Sequence, residues 1–493
     1  MKPSKWQYGN ITNYNKLFHT YTGLSSPVKA TIWFTIGNIL QNGVSLFSTP
    51  IFTRLLTTEQ YGVYTVYQSW YGIIAIFATL NLYSGVFNNG LTKYDDDKKG
   101  FTSALQGLST TITIGLFLIY IINVDFWNAI LELSTLYVTL IFIQLLFVPA
   151  YQFWAVGQKY EYKYKTLVAI TLFISLSSPI LGIISVISTS YKAEARVLSY
   201  VLIQIIIGLI LYILNIKNGK KLFYPKYWKY ALAFNIPLIP HYLSQSVLLQ
   251  ADRIMISHMA GNGKAAIYSV AYTASTMMTI ITSAINNSFI PYTYKSIKEK
   301  AFGDIGKTAN ILIVLVAASC ITVMVFGPEV IKLFASENYY EAIWIIPPVA
   351  ASVYFMFLYP LFGNIEFYFE NTKFTMVASL VGAGANIGLN YILIPKFGYI
   401  VAGYTTLICY VLFGFAHCLV YQISIKRNMP GIKIYNLKFF AIISSILVIV
   451  MMSITFTYKN TTIRYGVICI LLLIVIVKRH EIIDRLKELR KKK

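Results

Sequence analysis

Thr31-Ile-Trp-Phe-Thr-Ile-Gly37-Asn38-Ile-Leu-Gln41-Asn42-Gly-Val-Ser45-Leu-Phe-Ser-Thr49-Pro50-Ile-Phe52 contains no charged side chain, with Lys29 and Arg54 at its two rims. About 20 such residues cross the hydrocarbon core of a bilayer as a helix. The same test along the chain yields fourteen candidate spans, near 30–52, 61–88, 101–122, 130–156, 165–187, 195–216, 228–252, 265–290, 308–327, 341–364, 374–394, 400–424, 436–457 and 461–477. All 41 Lys and Arg lie between these spans or at their rims. With the N-terminus placed in the cytoplasm, 32 of them fall on inside segments and 9 on outside ones. Flanking Lys and Arg orient membrane helices in this way. The expected fold is therefore all-α: a polytopic protein of the inner (cytoplasmic) membrane with both termini in the cytoplasm.

Composition points the same way, with 56% apolar and only 12% charged residues and a mean hydropathy of +0.61. A net charge of +22 would suggest nucleic acid in a soluble protein. Here the inside excess accounts for it, and the basic rims would meet anionic lipid headgroups, so no nucleic-acid partner is expected. Residues 1–29 carry Trp6, Tyr8, Phe18 and Tyr21 but no short apolar core. They read as a cytoplasmic segment, not a signal peptide. Cys320, Cys409, Cys418 and Cys469 all fall within apolar spans and read as reduced packing residues, not metal ligands or disulfides.

The loops leave little room for an enzyme. They hold no Walker-type phosphate loop, no His-Glu-x-x-His and no Cys-x-x-Cys, and the outside loops offer only isolated acids such as Asp125, Glu194 and Glu329. The run Asp95-Asp96-Asp97 before Lys98 and Lys99 reads as a solvated cytoplasmic loop. Neither catalysis, a metal nor a cofactor is expected.

The informative residues lie inside the spans. Tyr61-Gly-Val-Tyr64-Thr-Val-Tyr67 follows Arg54, and Ala265-Ala-Ile-Tyr268-Ser-Val-Ala-Tyr272 follows Arg253. The two segments open spans two and eight in the same orientation, as parallel repeats would, although a shared interfacial aromatic belt also produces such runs. The expected organisation is a cytoplasmic segment (1–29), a six-helix N-lobe (30–216), a cytoplasmic linker (217–229), a six-helix C-lobe (230–425), and two further helices with a basic tail (426–493). Asn38, Gln41, Asn42, Ser45 and Thr49 recur on one face of the first span; His241, Ser244, Gln245 and Asp252 do so in the seventh, after Pro237 and Pro240. Helices facing only lipid cannot satisfy such stripes. Either tight helix–helix hydrogen bonding or a wet cavity between lobes accounts for them, and His241 fits a hydrogen-bonded core histidine as well as a functional one. Pro50, Pro149, Pro179, Pro347, Pro348 and Pro360 interrupt or kink helices. Ala378, Gly382 and Asn386 read as a packed seam.

Three stretches resemble a known family. These are Thr49-Pro50-Ile-Phe-Thr-Arg54-Leu-Leu with Glu59-Gln-Tyr-Gly62-Val-Tyr64, then Gln250-Ala-Asp252-Arg253-Ile-Met-Ile with Ala265-Ala-Ile-Tyr268, and Asn371-Thr-Lys373 with Asn386-Ile-Gly-Leu-Asn390 through Pro395-Lys-Phe-Gly398 and Ala402-Gly403. In this order, across roughly residues 30–425, they resemble bacterial polysaccharide repeat-unit flippases. The resemblance implies the multidrug/oligosaccharidyl-lipid/polysaccharide exporter fold. It also implies a substrate, an undecaprenyl-pyrophosphate-linked oligosaccharide, moved between leaflets for O-antigen, capsule or related lipopolysaccharide assembly, with polymerase and chain-length machinery as candidate partners.

On that expectation, Arg54 and Arg253 meet the pyrophosphate, since Arg binds phosphate bidentately, and Asn38, Gln41, Asn42, His241 and Gln245 meet the sugars. Asp252, His241 and Glu366 are the candidate coupling groups, with Glu366 near the cytoplasmic end beside Glu370. Arg54 and Asp252 would pair across the lobes as an outer gate, against the alternative that Asp252 caps a turn or bonds Lys264. A multidrug exporter of the same superfamily is the nearest rival; it usually carries an acid in the first span, and this one has none. A membrane-embedded glycan polymerase or ligase is the rival from another class, and it would need a large catalytic outside loop.

Overall fold

The computed structural model describes residues 25–369 and 372–477. The segment before residue 25, Glu370, Asn371 and the basic tail from residue 478 lie outside the described residues. Among the described residues there are nineteen α-helices and no strand. In chain order they are α1 (Ser26–Leu55), α2 (Thr58–Thr79), α3 (Gly85–Lys93), α4 (Lys98–Ile122), α5 (Val124–Leu131), α6 (Thr135–Tyr160), α7 (Tyr164–Ser188), α8 (Lys192–Gly219), α9 (Pro225–Asn235) and α10 (Ile239–Ala260). They continue with α11 (Asn262–Thr276), α12 (Met278–Lys298), α13 (Phe302–Val325), α14 (Gly327–Phe334), α15 (Ile346–Tyr368), α16 (Thr372–Phe397), α17 (Val401–Asn428), α18 (Leu437–Thr457) and α19 (Thr461–Val477).

Eight of these helices are long and apolar enough to cross a membrane, and α11 with α12, bent by 42°, makes a ninth. The chain is an integral membrane protein. Helices α1, α2 and α10 are 22 to 30 residues long yet too polar to qualify by composition. Their polar faces are what the packing encloses. Helices α1, α2, α4, α6, α7 and α8 pack on one another, as do α10 to α13 and α15 to α17. The groups meet where α2 lies against α10 and α11, and α18 covers α13 and α15.

The seventh span departs from expectation. Its prolines break it into α9, a 3-10 turn over Ile236–Leu238, and α10, because Pro supplies no backbone donor. Residues 225–235 pack on α3 and α4 through Tyr227 and Ala231. Beyond Arg253 the helix runs on to Ala260, about 10 Å further at 1.5 Å per residue. Asp252 and Arg253 therefore lie within the span, not at its outer end. Pro347 and Pro348 sit in the first turn of α15, where the missing donors cost nothing, so they do not kink it. The connection near 328–340 is no open loop: α14 and a 3-10 turn over Glu337–Trp344 occupy it.

The end of the bundle where α1 finishes is closed. Arg54 donates to the carbonyls of Lys332 (3.3 Å) and Leu333 (3.1 Å), in the last turn of α14, where a cation opposes the helix dipole. Thr53 Oγ1 donates to Phe334 O at 2.9 Å, and Ser336 Oγ returns a bond to Thr53 O at 3.1 Å. Glu59 accepts from the Gly263 amide at the start of α11, 3.0 Å away. Gly62 makes the closest backbone approach, since a Cβ there would stand 2.0 Å from the Asn262 carbonyl oxygen.

At the opposite end the acidic run is a clamp as well as a loop. Asp97 accepts from the Gly100 amide at the start of α4 (3.2 Å), from Lys221 Nζ (2.6 Å) and from Tyr227 Oη (2.7 Å). Partial burial raises the Asp97 carboxyl, but the bonds from Lys221 and Tyr227 outweigh it, and the group sits below its ordinary value. Its stabilisation is thus present above the unfolded carboxylate pKa and is lost as pH falls through the lower folded value. Asp97→Asn should lower stability by about 1 kcal/mol, typical of a lost helix cap. The deficit should hold across neutral pH and narrow only below about pH 4. Thermal unfolding of the two proteins at pH 7 and pH 4 measures it, and equal midpoints at pH 7 would remove the clamp.

Candidate functional site

A cavity of about 600 Å³ opens between α1, α2, α7 and α8 on one side and α10 and α11 on the other. The stripe of α1 contributes Gln41, Asn42, Ser45 and Thr49, and α2 adds Tyr61, Tyr64, Gln68 and Tyr71. From Gln41 to Phe52 it runs about 16 Å along the helix axis. Gln41 also borders a smaller cavity of about 170 Å³ with Asn38, Tyr151, Gln152 and Lys159. The polar space thus continues toward the far end of α1.

Among the described residues, two guanidinium groups border the main cavity and no carboxylate does. Arg196, on α8, is 5% exposed. Its guanidinium carbon lies 3.8 Å from the Phe52 ring centre and 3.9 Å from that of Tyr64, so aromatic faces hold the charge where water is scarce. Its Nε and Nη1 find no acceptor among the described residues. Arg253, on α10, donates to Ser269 Oγ (3.1 Å), Gln250 Oε1 (3.1 Å) and Leu249 O (2.6 Å), and stacks over Tyr272 at 4.6 Å. Tyr64 Oη accepts from Gln68 (2.8 Å), while Tyr67 bonds Gln144, which bonds Gln204 (2.9 and 2.8 Å). These neutral groups fix the aromatic wall without neutralising either cation. Such a cavity attracts a polar anion and repels a cation.

Asp252 points the other way. Neighbouring helix residues project about 100° apart, which sends Arg253 into the cavity and Asp252 into the packing of α10 on α16 and α17. At 3% exposure its carboxylate accepts from Tyr268 Oη (2.5 Å), Thr406 Oγ1 (2.6 Å), Asn390 Nδ2 (2.6 Å) and Asn386 Nδ2 (3.0 Å). All four donors are neutral. Asn386 Oδ1 makes no hydrogen bond among the described residues. A carboxylate with oxygen neighbours and no cation can take up a proton or a small monovalent cation. Among the described residues, no three of His, Cys, Asp and Glu gather as a metal site.

Several expected assignments are thereby corrected. Arg54 and Asp252 do not pair: Arg54 binds backbone carbonyls at the bundle end, and Asp252 is enclosed by its four donors. Nor does Asp252 bond Lys264, which pairs with Glu341 at 2.7 Å. Glu366 is no solvated end group; it is fully buried, with His417 Nδ1 3.0 Å from each carboxylate oxygen. His241 and Gln245 do not border the main cavity, and His241 Nδ1 and Gln245 Nε2 bond no described residue. Asn386, assigned to a seam, helps to hold Asp252. Arg196 went unrecognised because it counts as a rim cation, although Arg196, Tyr200 and Gln204 repeat at four-residue steps, the spacing of one helix face.

Comparison with known proteins follows the same geometry. Residues 28–296 match the family described as polysaccharide biosynthesis protein, and residues 237–392 match the MatE family. Lsg locus putative protein 1 of Haemophilus influenzae is 22% identical over 377 residues, which cover 72% of this chain and 88% of that protein. Among solved structures, the lipid II flippase MurJ in its inward closed conformation aligns with a TM-score of 0.65 at 18% identity, over 92% of this chain and 100% of that one. An inward-facing multidrug resistance MATE family transporter of the MOP superfamily gives 0.59 at 14% identity, over 81% and 98% of the two chains. Identities this low show a shared fold.

The cavity predicts an accessibility pattern. With exposed Cys469 replaced by Ser, cysteines at Asn42, Ser175 and Gln204 should react with a charged aqueous thiol reagent. Cysteines at Phe47 and Ile206, exposed on outer helix faces, should not. Labelling of all five alike would show that water does not distinguish the two faces.

Proposed function

The chain belongs to the polysaccharide biosynthesis protein family of the multidrug/oligosaccharidyl-lipid/polysaccharide exporter superfamily, and from that premise we propose that it is a flippase for a lipid-linked oligosaccharide bearing a pyrophosphate. The observation that carries this reading is the pair Arg196 and Arg253 on a cavity free of carboxylates. A pyrophosphate needs cationic donors, and a sugar chain needs hydrogen-bonding and aromatic groups, which α1 and α2 supply. The lipid tail stays in the bilayer while the head enters between the helix groups. Undecaprenyl is the proposed carrier, O-antigen or capsule assembly the proposed pathway, and the inner membrane with both termini cytoplasmic the proposed location. The 30–216 and 230–425 segments act as the two moving lobes.

The closed end at Arg54, Glu59 and Gly62 is then the outer gate, and the cavity takes its substrate from the cytoplasmic side. Outward opening breaks the bonds from α1 and α2 to α14 and α11. The sequence holds no Walker-type phosphate loop; an ion gradient is the proposed driving force, and Asp252 the proposed coupling group. It lies one residue from Arg253 on the same helix, so a proton or cation on Asp252 and an anion on Arg253 bias one element together. Multidrug export is disfavoured, because cationic drugs would meet two unneutralised guanidiniums.

Arg196→Ala and Arg253→Ala should each reduce flipping about 10- to 100-fold, the worth of one hydrogen-bonded charge. Arg196→Lys should recover only part, because ammonium lacks the planar face that stacks between Phe52 and Tyr64. Reconstituted vesicles containing a lipid-pyrophosphate glycan measure this, and wild-type rates in Arg196→Ala would refute the assignment.

Asp252→Asn should leave substrate binding measurable while flipping loses its dependence on an imposed ion gradient. Retention of that dependence would move the coupling role elsewhere.

A further inference from the structure

A second cavity is larger than the one between the helix groups. It is a groove of about 1030 Å³ formed by the start of α13, the end of α17 and the connection into α18. Among the described residues four lysines border it, Lys307, Lys426, Lys433 and Lys438, and no carboxylate does. Asn310, Gln422 and Asn436 add neutral polar groups, and the rest of the wall is mainly apolar: Leu419 and Ile423 are 45% and 53% exposed and face the same space as Leu437.

The groove is built, not a gap beside a loose loop. The connection lies so close to α13 that a Cβ on Gly306 would stand 2.3 Å from the Ile434 carbonyl oxygen. Tyr421 Oη accepts from the Tyr435 amide at 3.2 Å, and Tyr435 Oη donates to Leu361 O at 2.9 Å. Phe362 and Phe440 pack behind these tyrosines. The lysines are thus carried by helix ends and a pinned turn, with aliphatic side chains leading from them along the bundle. That is the profile of a lipid at the membrane boundary, an anionic head over apolar chains. Basic pockets between membrane helices recognise such headgroups.

We propose that this groove is a binding site for an anionic phospholipid, distinct from the cavity that takes the substrate. A diacyl lipid with a phosphate-centred negative head fits both halves of the lining. A zwitterionic lipid matches only the apolar half, and inorganic phosphate only the basic half.

The test is native mass spectrometry of the full-length protein in detergent, titrated with phosphatidylglycerol, with phosphatidylcholine, or with phosphatidylglycerol plus inorganic phosphate. One phosphatidylglycerol should bind well ahead of phosphatidylcholine. Each lysine near a headgroup is worth roughly fivefold in affinity. A variant with Lys307, Lys426, Lys433 and Lys438 all changed to Gln should therefore lose more than about tenfold. A matched variant with Lys217, Lys229, Lys298 and Lys300 changed to Gln should keep the site. Ile423→Trp, which fills the groove without altering charge, should also lose the lipid, and it carries the test if the fourfold variant does not fold. Equal losses in both lysine variants, equal binding of phosphatidylcholine, displacement by inorganic phosphate, or full retention in Ile423→Trp would each overturn the proposal.

Discussion

A guanidinium held away from water must be satisfied by something, and Arg196 is satisfied chiefly by two aromatic faces. Removing a charge from water costs several kcal/mol unless it is paired, and the customary remedy is a carboxylate. Here none borders the cavity among the described residues. The Phe52 and Tyr64 rings hold the cation without cancelling it, and the wall of Tyr67, Gln144 and Gln204 behind them is neutral throughout. The cavity is therefore electropositive by construction. That feature suits the proposed anionic substrate better than a cationic one.

The same constraint orders the rest of the bundle. Helices α1, α2 and α10, too polar for lipid, turn polar residues into the cavity, and the most apolar helices form the surround. On α10, successive residues of opposite charge serve opposite sides: Arg253 faces the cavity and Asp252 faces α16 and α17. Had they been four residues apart they would have paired, and neither site would carry charge. The closed end uses backbone as well as side chains. Arg54 and Thr53 bond carbonyls of α14, and Glu59 bonds an amide of α11. Such contacts release without stranding a buried ion pair, as the proposed gate requires.

Much of this was legible in the residues. The positions of the Lys and Arg mark out the long apolar helices, because charge and hydrocarbon exclude each other over the length of a helix. The α1 stripe was legible too, and Gln41 and Asn42 do border the cavity. What failed was depth and partner choice. Arg196 was counted with the rim, although α8 begins at Lys192 and tertiary packing encloses it. Asp252 was given a long-range cationic partner because its four neutral donors come from three helices far apart in sequence. Glu366 was read as solvated, since nothing local to it announces that His417, 51 residues on, will be beside it. Periodicity reports which face of a helix is polar; it does not report which helix will meet that face.

The central claim is that the anionic part of a lipid-linked glycan sits between Arg196 and Arg253. A cryo-electron microscopy structure of the protein with a bound polyprenyl-pyrophosphate oligosaccharide tests it most directly. The account predicts pyrophosphate density within hydrogen-bonding distance of both guanidiniums, with the sugars against Asn42, Gln68 and Tyr64. Pyrophosphate density at the lysine-lined groove of α13 and α17, or at Arg54, with the central cavity lacking it, would contradict the account.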